Sequence, residues 1–265
     1  MQKIAILGCG WLGLPLAKTL IENKFSVAGS VSRASRLPLL SEAGILPYQV
    51  MLAPDGVHGN ISGLLEKAAV LIIAVPPGLR KNPAGSFLQK MEKLLPHIKS
   101  AGIKNLLFVS STSVYGDIPG LVTEATPTQP IRSSAQELRK VEQLLCAHFP
   151  NTTLVRMGGL IGPDRQPVRM LSGKTELKGR LWPVNLIHQA DAVDLLLHSI
   201  EHQLWGRLFN GVYPAHPTKE TYYQQQAERL QIPPPLFDLQ DSSQGKQVDT
   251  AEVGLLEHFS FQHPI

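Results

Sequence analysis

The sequence predicts an α/β fold, a doubly wound parallel sheet with a smaller C-terminal lobe. Three observations carry that prediction. Short β-rich runs alternate with helical stretches over the first two thirds of the chain. The runs are unbroken apolar stretches, as strands covered on both faces require. The first run ends in Gly8-Cys9-Gly10-Trp11-Leu12-Gly13, a glycine-spaced turn leading from a strand into a helix.

Taken in order, the predicted strands are Lys3–Leu7, Ser26–Val31, Tyr48–Met51, Val70–Val75, Asn105–Ser110, Thr153–Met157 and Leu208–Val212. Predicted helices start near Gly10, Ile61, Ser86, Arg132 and Ala190. Crossovers between parallel strands are right-handed, which leaves few ways to connect them. Beyond Gly162 the character changes. Residues 163–184 are rich in Pro, Gly, Arg and Lys and read as loops. Residues 213–265 hold one clear helix, Lys219–Leu230, then the stiff turn Pro233-Pro234-Pro235, then Ser/Gln/Gly-rich chain. The predicted division is a sheet domain of residues 1–162 plus 185–212 and a small substrate lobe of residues 163–184 plus 213–265.

The spacing G-x-G-x-x-G acquires meaning from its position after a strand and at the mouth of a helix. Gly8 permits the tight turn, Gly10 lets backbone approach a diphosphate, and Gly13 lets helix and strand pack closely. Free N–H groups at the helix N-terminus favour an anion there. Pro15 falls in the first turn, where a missing N–H costs little. The pattern predicts a Rossmann-type dinucleotide site. NAD binders place an acid at the tip of the second strand; this chain reads Ser30-Val31-Ser32-Arg33-Ala34-Ser35-Arg36. Hydroxyls and two arginines suit a 2′-phosphate, so NADP is favoured over NAD. The alternative is that Arg33 and Arg36 are ordinary solvated charges.

Composition excludes several classes. The 265 residues are 43% hydrophobic and 17% charged, enough for a sizeable core. The longest apolar run, Ala68–Val75, is far short of the roughly 20 residues that span a bilayer. The N-terminal apolar run passes directly into the glycine turn, so it reads as a strand and not an export signal, and a cytoplasmic location is expected. Net charge is +4, without a basic face for nucleic acid. Two cysteines, Cys9 and Cys146, and nine scattered histidines predict neither a disulfide nor a metal site. The expected partner is a small-molecule substrate.

Several segments together resemble a known family. Asn105–Gly116, NLLFVSSTSVYG, resembles the fifth strand and following loop of the extended short-chain dehydrogenase/reductases, the sugar epimerase/dehydratase group. Val75-Pro76-Pro77 is similar to that family's loop beside the cofactor, and Glu124–Pro130 to its approach to the catalytic helix. Leu154-Val155-Arg156 with Gly162-Pro163, Ile187–Asp191 and Gly245–Phe261 agree in turn. The glycine turn, with Leu7 where the first glycine commonly stands, and SSTSVYG resemble an atypical, YeeZ-like subgroup. To the cofactor contacts expected of Gly8, Cys9, Gly10, Trp11, Leu12, Gly13, Ser30, Ser32, Arg33 and Arg36, the resemblance adds Ala74, Val75, Pro76 and Ser110. It also implies a homodimer through Ser86–Ser100 and Arg132–His148.

The family's chemistry uses a Ser/Thr with a Tyr and a Lys four residues apart on one helix face. The resemblance puts the first at Ser111, the Tyr position at Ser134 and the Lys position at Leu138. The five tyrosines, Tyr48, Tyr115, Tyr213, Tyr222 and Tyr223, are followed four places on by Leu52, Pro119, Pro217, Gln226 and Ala227, so no such dyad occurs in the sequence. Two functions follow: an oxidoreductase or epimerase on a hydroxyl or carbonyl compound, nucleotide sugars among the candidates, using Ser111 and Ser134; or a non-catalytic NAD(P)-binding sensor or scaffold.

Other residues carry paired readings. Ser111 either orients a substrate oxygen or satisfies backbone at a strand end. Tyr115 packs under its loop in preference to meeting the nicotinamide. Asp191 is expected to cap a helix beside His188. Arg165 and Arg169 are loop charges or anion contacts, and Trp11 is expected in the core. Asp117 and Glu124 show no glycosidase pairing.

Overall fold

The computed structural model describes residues 2–78, 85–251, 257 and 259–265. Part of the predicted C-terminal segment, residues 252–256 and 258, lies outside them. Elements run β1 (Lys3–Leu7), α1 (Gly13–Glu22), β2 (Ser26–Val31), α2 (Leu37–Glu42), β3 (Leu46–Ala53), β4 (Gly56–Gly59), α3 (Ile61–Leu65), β5 (Val70–Ile73), α4 (Phe87–Ser100), β6 (Asn105–Ser111) and β7 (Gly120–Val122). Then follow α5 (Ser133–His148), β8 (Thr152–Met157), β9 (Gly159–Ile161), α6 (Val168–Leu171), β10 (Leu186–His188), α7 (Gln189–Glu201), β11 (Leu208–Gly211), α8 (Lys219–Arg229) and β12 (Lys246–Val248).

Among the described residues the main sheet has the order β11-β8-β6-β5-β1-β2-β3-β4. Every pairing in it is parallel except β3 with β4. The order reverses between β2-β1 and β1-β5, the point at which doubly wound sheets open a crevice beyond their carboxyl ends.

Period-two burial explains why the strands are apolar throughout. In β1, Ala5 and Leu7 face the layer of α3, α4 and α5, while Ile4 and Ile6 face α1 and α7. β5 repeats this with Leu71 and Ile73 against Val70 and Ile72. Ile4, Ile6, Val70 and Ile72 are fully buried, and each such side chain contributes about 1.5–3 kcal/mol. Among the described residues no helix is long and apolar enough to cross a membrane.

The structure departs from the sequence reading in places. The first helix begins at Gly13, three residues after Gly10, because the turn uses Gly10 N–H to reach Gly8 O at 2.8 Å. The fourth predicted strand stops at Ile73. β4 is an antiparallel edge strand, folded back by the two-residue turn Pro54-Asp55. Residues 163–184 include the short helix α6. The Ser/Gln/Gly-rich stretch contains β12, which pairs parallel with β7, Lys246 opposite Gly120. A second small parallel pair joins β9 to β10. These three-residue strands are too short to show a period.

Candidate active site

The crevice at the order reversal holds a cavity of about 260 Å³. Gly8, Cys9, Gly10, Ser30, Ser32, Arg33, Arg36, Ala74, Val75 and Pro76 all line it. Each glycine of the turn has its own reason. Gly8 sits at φ +105°, which a side chain resists, and a Cβ there would lie 2.7 Å from Val75 Cγ1. A Cβ on Gly13 would meet Gly8 O at 2.2 Å, so helix and turn touch through backbone alone. A Cβ on Gly10 would meet nothing within 4 Å and would project into open space, so no packing contact of this fold demands glycine there.

The turn is braced from β2. Gly8 N–H donates to Ser30 Oγ at 3.0 Å and Cys9 N–H to Ser30 O at 2.7 Å. Ser30 therefore shapes the cradle. Burial pushes the Cys9 thiol up to about 12, the Ser30 backbone and Arg36 opposing it, so Cys9 is a packing residue. Both cysteines are free. Arg33 is exposed and Arg36 half-buried at the rim, both beside Ser32.

Trp11, Leu12 and Gly13 are not among the cavity's lining. Leu12 and Gly13 are buried in the turn. Trp11, expected in the core, is only half-buried and ties the turn to the loop after β9. Its Nε1 donates to Asp164 Oδ1 at 2.7 Å, and Arg165 stacks 4.2 Å over its ring. Gln189 Nε2 donates to Trp11 O at 2.6 Å. Ser110 also lies away from the cavity: its hydroxyl donates to buried Glu142 at 2.6 Å, and Glu142 is paired with buried Arg156 at 2.7 Å.

Ser111, the next residue along β6, turns the opposite way. It lines a second cavity of about 340 Å³, bounded by Ser113, Asp117, Arg132, Trp182, Asn185, Lys219, Tyr223 and Lys246 among others. Its Oγ accepts from Ser113 N–H at 3.2 Å, which leaves the O–H free to donate. Lys246 reaches across from β12 to donate to Thr112 O at 3.0 Å and to Gly116 O, the two ends of that turn. Burial lowers the pKa of Lys246 and of Lys219; Asp117 opposes and Arg132 reinforces the shift in both, and Asp241 also opposes it in Lys219. Lys219 Nζ sits 4.2 Å over the Trp182 ring.

Ser134, the second residue of α5, is half-buried and lines neither cavity. Leu138 is part of the core beneath that helix. Tyr115 packs under its loop: it is fully buried, donates to Asn210 Oδ1 at 2.9 Å, and burial raises its pKa. Glu124 accepts from the N–H groups of Asn210 and Ala251, a structural role. Arg169 bonds Gln166. The expected helix cap at Asp191 is corrected. His188 caps α7 by accepting from Ala190 N–H, while buried Asp191 accepts from Gln262 and His263 of the returning chain end. Burial and His263 lower the His188 pKa, consistent with a ring that accepts.

Sequence reading missed Lys219 and Lys246 as site residues. Each is a lone lysine in polar surroundings, and only the β7–β12 pairing and the start of α8 bring them to Ser111.

A family described as NAD(P)H-binding matches residues 8–203. Protein YeeZ of Escherichia coli K12 is 34% identical over 270 residues, spanning 100% of this chain and 97% of its own. Among solved structures, a UDP-glucuronic acid 4-epimerase from Bacillus cereus, in complex with UDP-glucuronic acid and NAD, has a TM-score of 0.78 at 16% identity, covering 100% of this chain and 95% of its own. A UDP-N-acetylglucosamine 4-epimerase from Bacillus cereus has a TM-score of 0.77 at 12% identity, covering 99% and 95%.

Proposed function

Since the chain belongs to the NAD(P)H-binding family, we propose that it is an NAD(P)-dependent oxidoreductase or epimerase acting on a hydroxyl or carbonyl compound. One observation carries this reading: the glycine cradle and Ser111 stand at the carboxyl ends of β1 and β6 on one rim of the sheet, each with its own cavity. The turn Gly8–Gly13 and the α1 N-terminus would hold the cofactor's diphosphate; Val75 and Pro76 would flank it. The cofactor supplies hydride chemistry when bound. Ser111 donates its free O–H to a substrate oxygen, and Lys246 keeps the Ser111 turn in place. The described residues of 163–184 and 213–251 supply the substrate-facing side, including Trp182 and Lys219. The solved neighbours that bind UDP-sugars support a sugar-like substrate.

Arg33 and Arg36 at the rim favour NADP. A charge-assisted contact to a 2′-phosphate is worth about 1.5–3 kcal/mol. Calorimetric titration tests this: NADPH is expected to bind more tightly than NADH, and Arg33→Ala with Arg36→Ala to lower NADPH affinity at least tenfold while leaving NADH unchanged. Absence of binding by either nucleotide would sink the reading.

A second reading, a non-catalytic NAD(P)-binding sensor or scaffold, is favoured by Ser134 and Leu138 at the positions where the family resemblance places Tyr and Lys. General acid–base help is worth about 10²–10⁴-fold, so its loss weighs on turnover. Cofactor binding without hydride exchange across a panel of alcohols, aldehydes, ketones and sugar nucleotides selects this reading; measurable exchange selects the first.

A further inference from the structure

The second cavity has an unbalanced charge. Three cations, Arg132, Lys219 and Lys246, line it with one carboxylate, Asp117. Among the described residues none of the three cations forms an ion pair. Elsewhere in the fold the half-buried Arg180 is paired with Glu220 at 2.9 Å and the buried Arg156 with Glu142. Lys219 and Lys246 are half-buried and Arg132 is exposed beside them; half-buried cations without carboxylate partners are costly unless an anion joins them. Lys246 spends two of its three N–H bonds on the carbonyls of Thr112 and Gly116, leaving one for the cavity. Lys219 is carried on the Trp182 ring, which fixes its position without neutralising it. Ser111 adds an unused O–H to the same wall.

Resting on the reading above, we infer that this cavity takes a small hydroxylated compound bearing a phosphate or carboxylate group, its anion held by Lys219 and Arg132 and its hydroxyl by Ser111 and Lys246. The volume of about 340 Å³ lies at the lower end of small-molecule sites, roughly 300–1,000 Å³. It suits a sugar phosphate or a sugar acid. A nucleoside diphosphate sugar would have to leave most of its nucleotide outside.

The test is calorimetric titration of NADP(H)-loaded protein with glucose 1-phosphate, gluconate and UDP-glucose. At least one of the first two is expected to bind, with UDP-glucose less than tenfold tighter than glucose 1-phosphate. Lys219→Gln should weaken the bound anion about tenfold, Lys219→Arg should restore it, and neither should move cofactor affinity. Arg132→Gln, at an exposed helix start, is a second variant should Lys219→Gln lower the melting temperature. Binding of neither small anion, an advantage of tenfold or more for UDP-glucose, or indifference to both Lys219→Gln and Arg132→Gln overturns the inference. If NADP(H) itself fails to bind, the cofactor reading has failed. The same titration on the unloaded protein then decides the anion site separately.

Discussion

At the scale of single residues, the glycine turn separates two jobs that one motif usually confounds. Gly13 is a packing glycine, since any side chain would strike backbone at 2.2 Å and backbone yields little. Gly10 has no packing reason of that kind: its missing side chain faces open space, where the proposed function puts the cofactor's diphosphate. Gly13→Ala is therefore expected to destabilise by roughly 1–3 kcal/mol or more through overpacking. Gly10→Val should leave the melting temperature nearly unchanged and weaken NAD(P)H at least tenfold. Thermal melts and cofactor titrations on the two variants check this; equal stability losses would remove the distinction. The lysines of the second cavity make a pH prediction. Burial lowers both, so they lose their protons before exposed lysines do as pH rises. Affinity for a bound anion should hold through neutrality and fall on the alkaline side, starting below the usual lysine range. A titration series in pH reads this directly, and an affinity that rose with pH would contradict it.

At the scale of elements, α5 and β8 are joined by an ion pair that neither sequence segment announces. Glu142, fully buried on α5, meets Arg156 of β8 at 2.7 and 3.0 Å and accepts from Ser110 of β6. Removing one partner of such a pair strands the other charge, at a cost of about 3–5 kcal/mol. Glu142→Ala is accordingly expected to lower the melting temperature by on the order of 10 °C, read by circular dichroism; a shift of under 2 °C would show the pair to be dispensable. The same cluster shows what was legible beforehand. β1, β5 and β6 could be read because Ile4–Leu7, Val70–Ile73 and Leu106–Val109 are unbroken apolar runs. The cradle could be read because Gly8, Gly10 and Gly13 act within six residues. Ser110 could not, since its role depends on a carboxylate 32 residues away. Lys246 could not, since it reaches Ser111's turn through a three-residue strand paired with residues 120–122. Local chemistry shows in sequence; chemistry assembled across the chain does not.

At the scale of the whole molecule, the segments assigned to the substrate lobe are bound into the sheet domain at several separated points. β12 pairs with β7, Asn185 holds Lys246 O at 2.8 Å and receives Val248 N–H at 2.7 Å, and Asn210 of β11 donates to Asp249 O at 2.8 Å. The chain end closes on buried Asp191 of α7 through Gln262 and His263, and Trp11 links the glycine turn to Asp164. Most of these bonds join backbone to side chains more than 30 residues away, so losing the lobe leaves buried polar groups of the sheet domain unsatisfied. The lobe should not melt first. Far-ultraviolet circular dichroism follows the sheet and helices, while tryptophan fluorescence samples Trp182 in the lobe and Trp11 and Trp205 against the main core. The two signals are expected to change together in one transition, although chains of this length often unfold in steps. An early fluorescence transition with circular dichroism unmoved would mean that the lobe folds on its own, and that the contacts named here hold it in place without sharing its stability.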